Sequence, residues 1–260
     1  MMIRAKIAAL LVAAVVAGAA APSAAGSPVA VEIGDGSATV SVLDGEAWVL
    51  KGGTAPEAPV GEGASLAPGD QVRTGPSSRL ELELPDGSFL RFDERTSFTL
   101  LSSGYREQDE RRDIRVRMIL GKVWARVSRL LLGRGRFSLQ TPTAVAGVRG
   151  TVYRLNLNTD RSAVVKVYDG EVEVRRQAEG LQAEDGPGPL QAPKPVAGPH
   201  PVGMQEWVYI VRTLQQININ PDGTATRPFR FDVQADLNDW VRWNQMRDEK
   251  IRKMREKLQR

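Results

Sequence analysis

The 260-residue chain contains no cysteine. It therefore has no disulfide to support it in an oxidising compartment and no thiol chemistry. Its stability must come from packing and sheet hydrogen bonds. Histidine is nearly as scarce: His200 stands alone, inside a proline-rich stretch. One histidine cannot build a His-based metal site, and a triad or a His general base has nothing else to draw on. Paired carboxylates or a lysine nucleophile stay formally open, but no acid or arginine spacing matches a catalytic arrangement. The chain is expected to have no catalytic residues, to bind no metal and to need no cofactor, so it is read as no enzyme.

A large charge excess is also missing. The formal charge of +4 falls to +2 once Arg4 and Lys6 are set aside. Arg247 to Arg260 hold seven basic and three acidic side chains, so the remaining body is about −2. That balance argues against nucleic acid as a partner. No run of apolar residues is long enough to cross a bilayer. The longest, Ile7 to Ala21, has about 15 residues against the roughly 20 that a spanning helix needs.

What that run does resemble is an export signal. Arg4 and Lys6 precede it, and Pro22-Ser23-Ala24-Ala25-Gly26 follows with small residues. Ser23 and Ala25 suit the −3 and −1 positions, so residues 1–25 are expected to be a cleavable signal peptide. No cysteine lies near the cut for lipid attachment. An uncleaved anchor is the alternative; after cleavage no transmembrane span is expected, and the protein would be periplasmic or secreted.

From Ala38 to Arg176 the pattern has period two. Leu80, Leu82 and Leu84 alternate with Glu81 and Glu83; Ile114, Val116 and Met118 with Arg115 and Arg117; Tyr153, Leu155 and Leu157 with Arg154 and Asn156. Each reads as a half-buried strand. Asp44-Gly45, Pro85-Asp86-Gly87-Ser88 and Asp169-Gly170 supply turns. Three turn-strand starts, at Gly45, Gly121 and Gly170, look alike but lie 76 and 49 residues apart, which rules out a fixed-period solenoid. The charge run Arg106 to Asp113 reads as a solvated loop. Leu130-Leu131-Leu132, between Arg129 and Arg134, reads either as a buried connection or as an exposed contact loop.

Residues 177–203 hold six prolines and five glycines and read as a linker or long surface loop. Strands return over 204–231, with a turn at Asn220-Pro221-Asp222-Gly223. Residues 232–260 read as an amphipathic, charged helix, with Asp236 as N-cap and Asp239 in the first turn. Leu237, Trp240 and Val241 mark its apolar face, and Ile251, Met254 and Leu258 continue the stripe. Two roles stay open: docking on its own domain through Trp240 and Trp243, or contacting a partner.

The ordered blocks Pro68-Gly69-Asp70-Gln71-Val72-Arg73-Thr74-Gly75, Leu84-Pro85-Asp86-Gly87-Ser88, Leu120-Gly121-Lys122-Val123, Thr141 to Thr151 and Val167 to Val172 resemble the FecR domain. The likeness covers about residues 38–176, within a β domain set at 26–176. The Thr-Pro…Val-Arg-Gly-Thr block is its most specific part. The resemblance implies an extracytoplasmic, non-catalytic β domain that binds something; with the strand and helix patterns the expected fold is all-β, an antiparallel-rich roll- or barrel-like domain with a C-terminal α-helix. The best-known relatives pass a signal to a sigma factor through a cytoplasmic N-terminal region. Only six residues precede the apolar run here, so that role is not carried over.

The expected function is therefore binding or scaffolding in the cell envelope, with a protein partner. A carbohydrate or peptidoglycan-binding module, or a signal-sensing component without direct sigma-factor control, are the alternatives. Gly69, Asp70, Asp86 and Gly87 are read as turn residues. Gly147 and Gly150, with Thr151, suggest a bulge or close backbone approach. Arg149 would either tie down loop carbonyls or an acid such as Asp70 or Asp86, or grip a carboxylate ligand. Trp48 and Trp124 would pack on a sheet face or stack against sugar rings.

Overall fold

The computed structural model describes residues 36–54, 56–129, 134–148, 150–177 and 206–258. The expected signal peptide at 1–25, Leu130-Leu131-Leu132, Arg149, His200 and all of the expected linker but Gln177 lie outside the described residues.

In chain order the strands are β1 (Ala38–Asp44), β2 (Ala47–Leu50), β3 (Ala58–Pro59), β4 (Ser65–Leu66), β5 (Gln71–Thr74) and β6 (Arg79–Glu83). Next come β7 (Phe89–Phe92), β8 (Ser97–Arg106), β9 (Arg111–Arg126), β10 (Arg134–Gln140), β11 (Ala144–Val148) and β12 (Val152–Leu157). The last are β13 (Ala163–Asp169), β14 (Glu171–Arg176), β15 (Val208–Arg212), β16 (Gln215–Ile219) and β17 (Phe229–Arg230), followed by α1 (Asp239–Leu258).

The strands form two ladders that share β9. The first runs β4-β1-β6-β7-β9-β12-β13-β16-β17. The second runs β3-β2-β5-β8-β9-β10-β11-β14-β15. Every pairing is antiparallel except β9 with β10. β9 is 16 residues long. Its N-terminal part pairs with β8 and β10, and its C-terminal part with β7 and β12.

The crossing from one ladder to the other sits at Gly121, where φ is +100°. A Cβ there would lie 2.3 Å from Thr96 Oγ1 and 2.6 Å from Thr96 Cα. Only glycine lets β9 bend so tightly against its neighbour.

Apolar residues at alternate positions of both ladders meet in one core. Phe92 on β7 stacks on Phe98 on β8, centroids 3.7 Å apart. The expected all-β, antiparallel-rich roll with a C-terminal helix is what forms, but neither ladder closes into a barrel. The strands after the linker are not a separate module: β15 extends the second ladder, and β16 and β17 extend the first.

Two local readings change. The charge run Arg106–Asp113 is not a loop. Its turn is confined to Glu107–Asp109, and Arg111 to Asp113 already belong to β9. There Arg112 points inward, buried, and pairs with Asp86 at 2.8 Å. The helix is capped by Asn238, whose Oδ1 accepts from the Val241 N–H at 3.0 Å, not by Asp236. The expected stripe also stops short: Trp240 and Val241 are buried, whereas Met254 is exposed, and no described helix residue after Asp248 is buried.

Candidate functional site: the open face of the second ladder

A two-layer roll has two outer faces, and here they differ. On the first ladder the outward positions line up across five strands. Glu81 pairs in register with Arg91, Arg91 with Trp124, Trp124 with Arg154, and Arg154 with Lys166. Each alternates with core residues such as Leu80, Leu82, Leu90, Phe92, Val123, Leu155 and Val165. Period two alone would leave this row in water. Instead α1 and the segment before it cover it.

Arg91 is 0% exposed and Glu81 1%. Arg91 Nε donates to Glu81 Oε2 at 2.6 Å and its Nη1 to Asp248 Oδ1 at 2.7 Å. The indole N–H of Trp124 reaches the other Asp248 oxygen at 3.1 Å. Arg247 from the helix and Ser41 from β1 complete the shell of Glu81. Burial opposes ionisation of Glu81, but hydrogen bonds from Arg247, Arg91 and Ser41 together hold its carboxyl below the usual range. Further along, Asp236 accepts from Arg154, from Lys166 at 2.7 Å and from the Tyr168 hydroxyl. Burial pushes the Tyr168 hydroxyl's pKa up, and its hydrogen bond to Asp236 adds to that. Trp124, Trp240 and Val241 form a second small apolar cluster with Tyr168 and Trp243 at its edge.

This face is closed. Trp124 is 1% exposed and Trp240 4%, so neither offers a ring to a sugar or a partner. Trp243 stacks on Trp240 with centroids 5.4 Å apart, under the Arg79 guanidinium. Of the two readings for Trp48 and Trp124, Trp124 packs on a sheet face under the helix, and Trp48 lies on the other face of the roll because β2 joins the second ladder. There Trp48 is half-buried, with the Arg73 guanidinium 4.4 Å from its ring centre. Arg73 is held in turn by Glu57 at 2.9 Å, and that hydrogen bond lowers the Glu57 pKa.

The second ladder's outer face carries no helix among the described residues. Among the described residues, its last strand, β15, pairs only with β14. Val208 and Ile210 on β15 are 60% and 37% exposed. A shallow groove of about 380 Å³ runs beside them, lined by Arg136, Gly147, Val148, Glu171, Glu173 and Ile210. Gly147 sits on β11 opposite Glu173 and so lies in that groove. The sequence did not mark β15 as a site; the only hint was apolar Val208 and Ile210 in a chain end rich in polar residues.

The remaining motif residues shape turns. Asp70 accepts from the N–H groups of Ala67 and Gly52 and from Lys51 Nζ at 2.7 Å. Gly69 and Gly87 take positive φ. Asp86 holds Ser88 and Arg112. Both acids named as partners for Arg149 are thus engaged by other cations. Gly150 turns into β12 with φ +63°, beside the Arg129 side chain, and Thr151 Oγ1 donates to the Glu171 carbonyl at 2.8 Å.

Residues 70–173 match the family described as FecR protein. No curated protein matches the chain. Among solved structures, two crystal structures at 1.65 and 2.50 Å resolution are similar, both of a "putative anti-sigma factor" from Parabacteroides distasonis ATCC 8503. Each shares 17% identity with this chain over 63% of its length, with a TM-score of 0.43. The alignment spans 61% of that protein's chain, under two thirds of it. The matched segment begins at Asp70, just ahead of β5, and ends within β14, while β1 to β4 and β15 to β17 extend the same two ladders on either side. Residues 70–173 are a FecR domain.

Proposed function

We propose that this chain is a non-enzymatic regulatory module working outside the cytoplasmic membrane, where it binds a protein of the cell envelope through the open face of the second ladder. The FecR family is regulatory in character, which supports a signalling role. The observation that carries the reading is the asymmetry of the roll. Among the described residues, the helix seals one outer face, while the other ends in an edge strand, β15, paired on one side with β14 and bearing exposed Val208 and Ile210. Exposed apolar side chains on a free edge are a liability unless something covers them.

A photo-crosslinking residue placed at Ile210 in the full chain should capture one discrete protein adduct in cells of the source organism. The same residue at Arg242, on the exposed side of the helix, should capture none. Adducts at Arg242 alone, or at neither position, would overturn the assignment of the interface. Location has its own test: protease added outside the cytoplasmic membrane should digest the protein, and full protection would sink the extracytoplasmic reading.

A further inference from the structure

The parallel pair β9 and β10 concentrates arginine on the open face. In register, Arg134 faces Arg111, Arg136 faces Asp113, Ser138 faces Arg115 and Gln140 faces Arg117. All these positions alternate with the core residues Ile114, Val116, Phe137 and Leu139, so they lie on the outer side of the pair: Arg111, Arg134 and Arg136 exposed, Asp113, Arg115, Arg117 and Gln140 half-buried, Ser138 buried. Five arginines stand there against one aspartate, with no lysine among them. Asp113 is engaged by Arg115 at 3.1 Å. None of Arg111, Arg117, Arg134 and Arg136 has a salt bridge to a described acidic residue. Of the acids in the β8–β9 turn, Asp109 is taken by Arg106.

The strands are held together tightly under this patch. Gly135 takes φ +95°, and a Cβ on it would lie 1.9 Å from the Arg112 carbonyl oxygen. Glycine lets the two arginine-bearing backbones approach there.

We propose that this patch docks an extended acidic segment of a protein partner. The inference rests on the protein-binding reading above and names the chemistry of that partner. A guanidinium presents a planar fork that matches a carboxylate, and it is the weakly hydrated cation suited to interfaces. Arg115 and Arg117 lie about 6.7 Å apart along one strand face, the repeat at which an extended peptide places alternate side chains.

The surroundings separate a peptide from a polyanion. Beyond β11 the face is mixed: Glu171, Glu173 and Arg175 on β14 stand opposite Arg212, Ile210 and Val208 on β15. A uniformly negative surface, such as an anionic membrane or a phosphate polymer, would meet a carboxylate at Glu173 and an apolar side chain at Ile210. A peptide varies its chemistry residue by residue. It can set carboxylates over β9 and β10 and an apolar side chain against Ile210.

The test uses the full chain and a fluorescein-labelled ten-residue peptide alternating glutamate and serine, read by anisotropy. Binding should weaken at least 10-fold in the R111Q/R134Q/R136Q variant. It should be unchanged in K250Q/K253Q/K257Q, which removes as many cations from the helix. Affinity should also fall steeply with salt. No binding, equal loss in the helix variant, or equally strong and equally arginine-dependent binding of phosphatidylglycerol vesicles would overturn the proposal. The Ile210 crosslink, repeated in the triple arginine variant, separates the two claims. If the adduct persists undiminished, the acidic-segment proposal fails while the protein-binding reading stands; if no adduct forms even in the parent chain, the binding reading itself falls. A melting curve on each variant shows that these exposed substitutions leave the fold intact.

Discussion

The outer faces of the two ladders begin from the same sequence pattern and reach opposite ends. Both place charged residues at outward positions: Glu81, Arg91, Arg154 and Lys166, one on each of four strands, on one ladder, and Arg111, Asp113, Arg115 and Arg117 along β9 on the other. On the first, a helix arriving from the far end of the chain brings Asp248 and Arg247, and Asp236 just ahead of it, and the row becomes a buried ion network. On the second, Arg111 stays exposed and Arg115 and Arg117 half-buried, with no described helix over them. The difference teaches that a polar stripe on a strand does not declare a surface; what later packs over it decides.

The contrast can be broken most severely at Arg91. Removing one member of a buried pair strands the other, an effect of about 3–5 kcal/mol. Arg91→Ala should therefore lower the urea midpoint far more than any single neutralisation on the open face, such as Arg136→Gln, which should stay within about 0.5 kcal/mol. Similar midpoints for the two would mean the helix does not seal the first ladder in solution.

A smaller effect is expected from acid. The Glu81 carboxyl titrates below its ordinary value of 4.5 in the folded chain. Its folded pKa is thus the lower of the two, so its contribution is fully present above about pH 4.5 and is lost as pH falls through the depressed folded value. Urea midpoints measured from pH 7 down to pH 3 should drop in that lower window. The drop should be shallower in Glu81→Gln; an unchanged slope would assign the acid sensitivity elsewhere.

The smallest effect sharpens the comparison between the two tryptophans. On the open face, Trp48 under Arg73 is half-buried, and a cation–π contact at an exposed site is worth about 0.5–1 kcal/mol. Trp124, buried and hydrogen-bonded to Asp248, should cost about 3–5 kcal/mol when cut to alanine. Calorimetry on Trp48→Ala and Trp124→Ala should rank them in that order, and equal losses would undo the assignment of Trp48 to the open side.

Much of the fold could be read directly. The alternation of Leu80, Leu82, Ile114, Val116, Tyr153 and Leu155 announced strands, and their core positions follow from it. The turns at Asp70 and Asp86 also behave as their residue types suggest, because an aspartate captures nearby N–H groups whatever lies further away. The candidate site was much less legible. Trp48 and Trp124 look alike because each stands three residues after a glycine, Gly45 or Gly121, and which face each occupies depends on the ladder it joins. Asp236 suited a helix cap by spacing, yet three side chains from β12 and β13 claim it. The arginine patch was visible only as alternate residues on two separate strands, since nothing local indicates that β10 pairs parallel to β9.

The sequence by itself determined the all-β character, the FecR likeness of residues 70–173, the turn chemistry and the lack of any thiol. These follow from short-range rules: side-chain period, backbone freedom of glycine, and which functional groups exist at all. Only the tertiary structure decided which face is sealed and which is open. That choice depends on pairings such as Arg91 with Asp248, more than 150 residues apart, where the cost of burying a charge is offset only if its distant partner arrives.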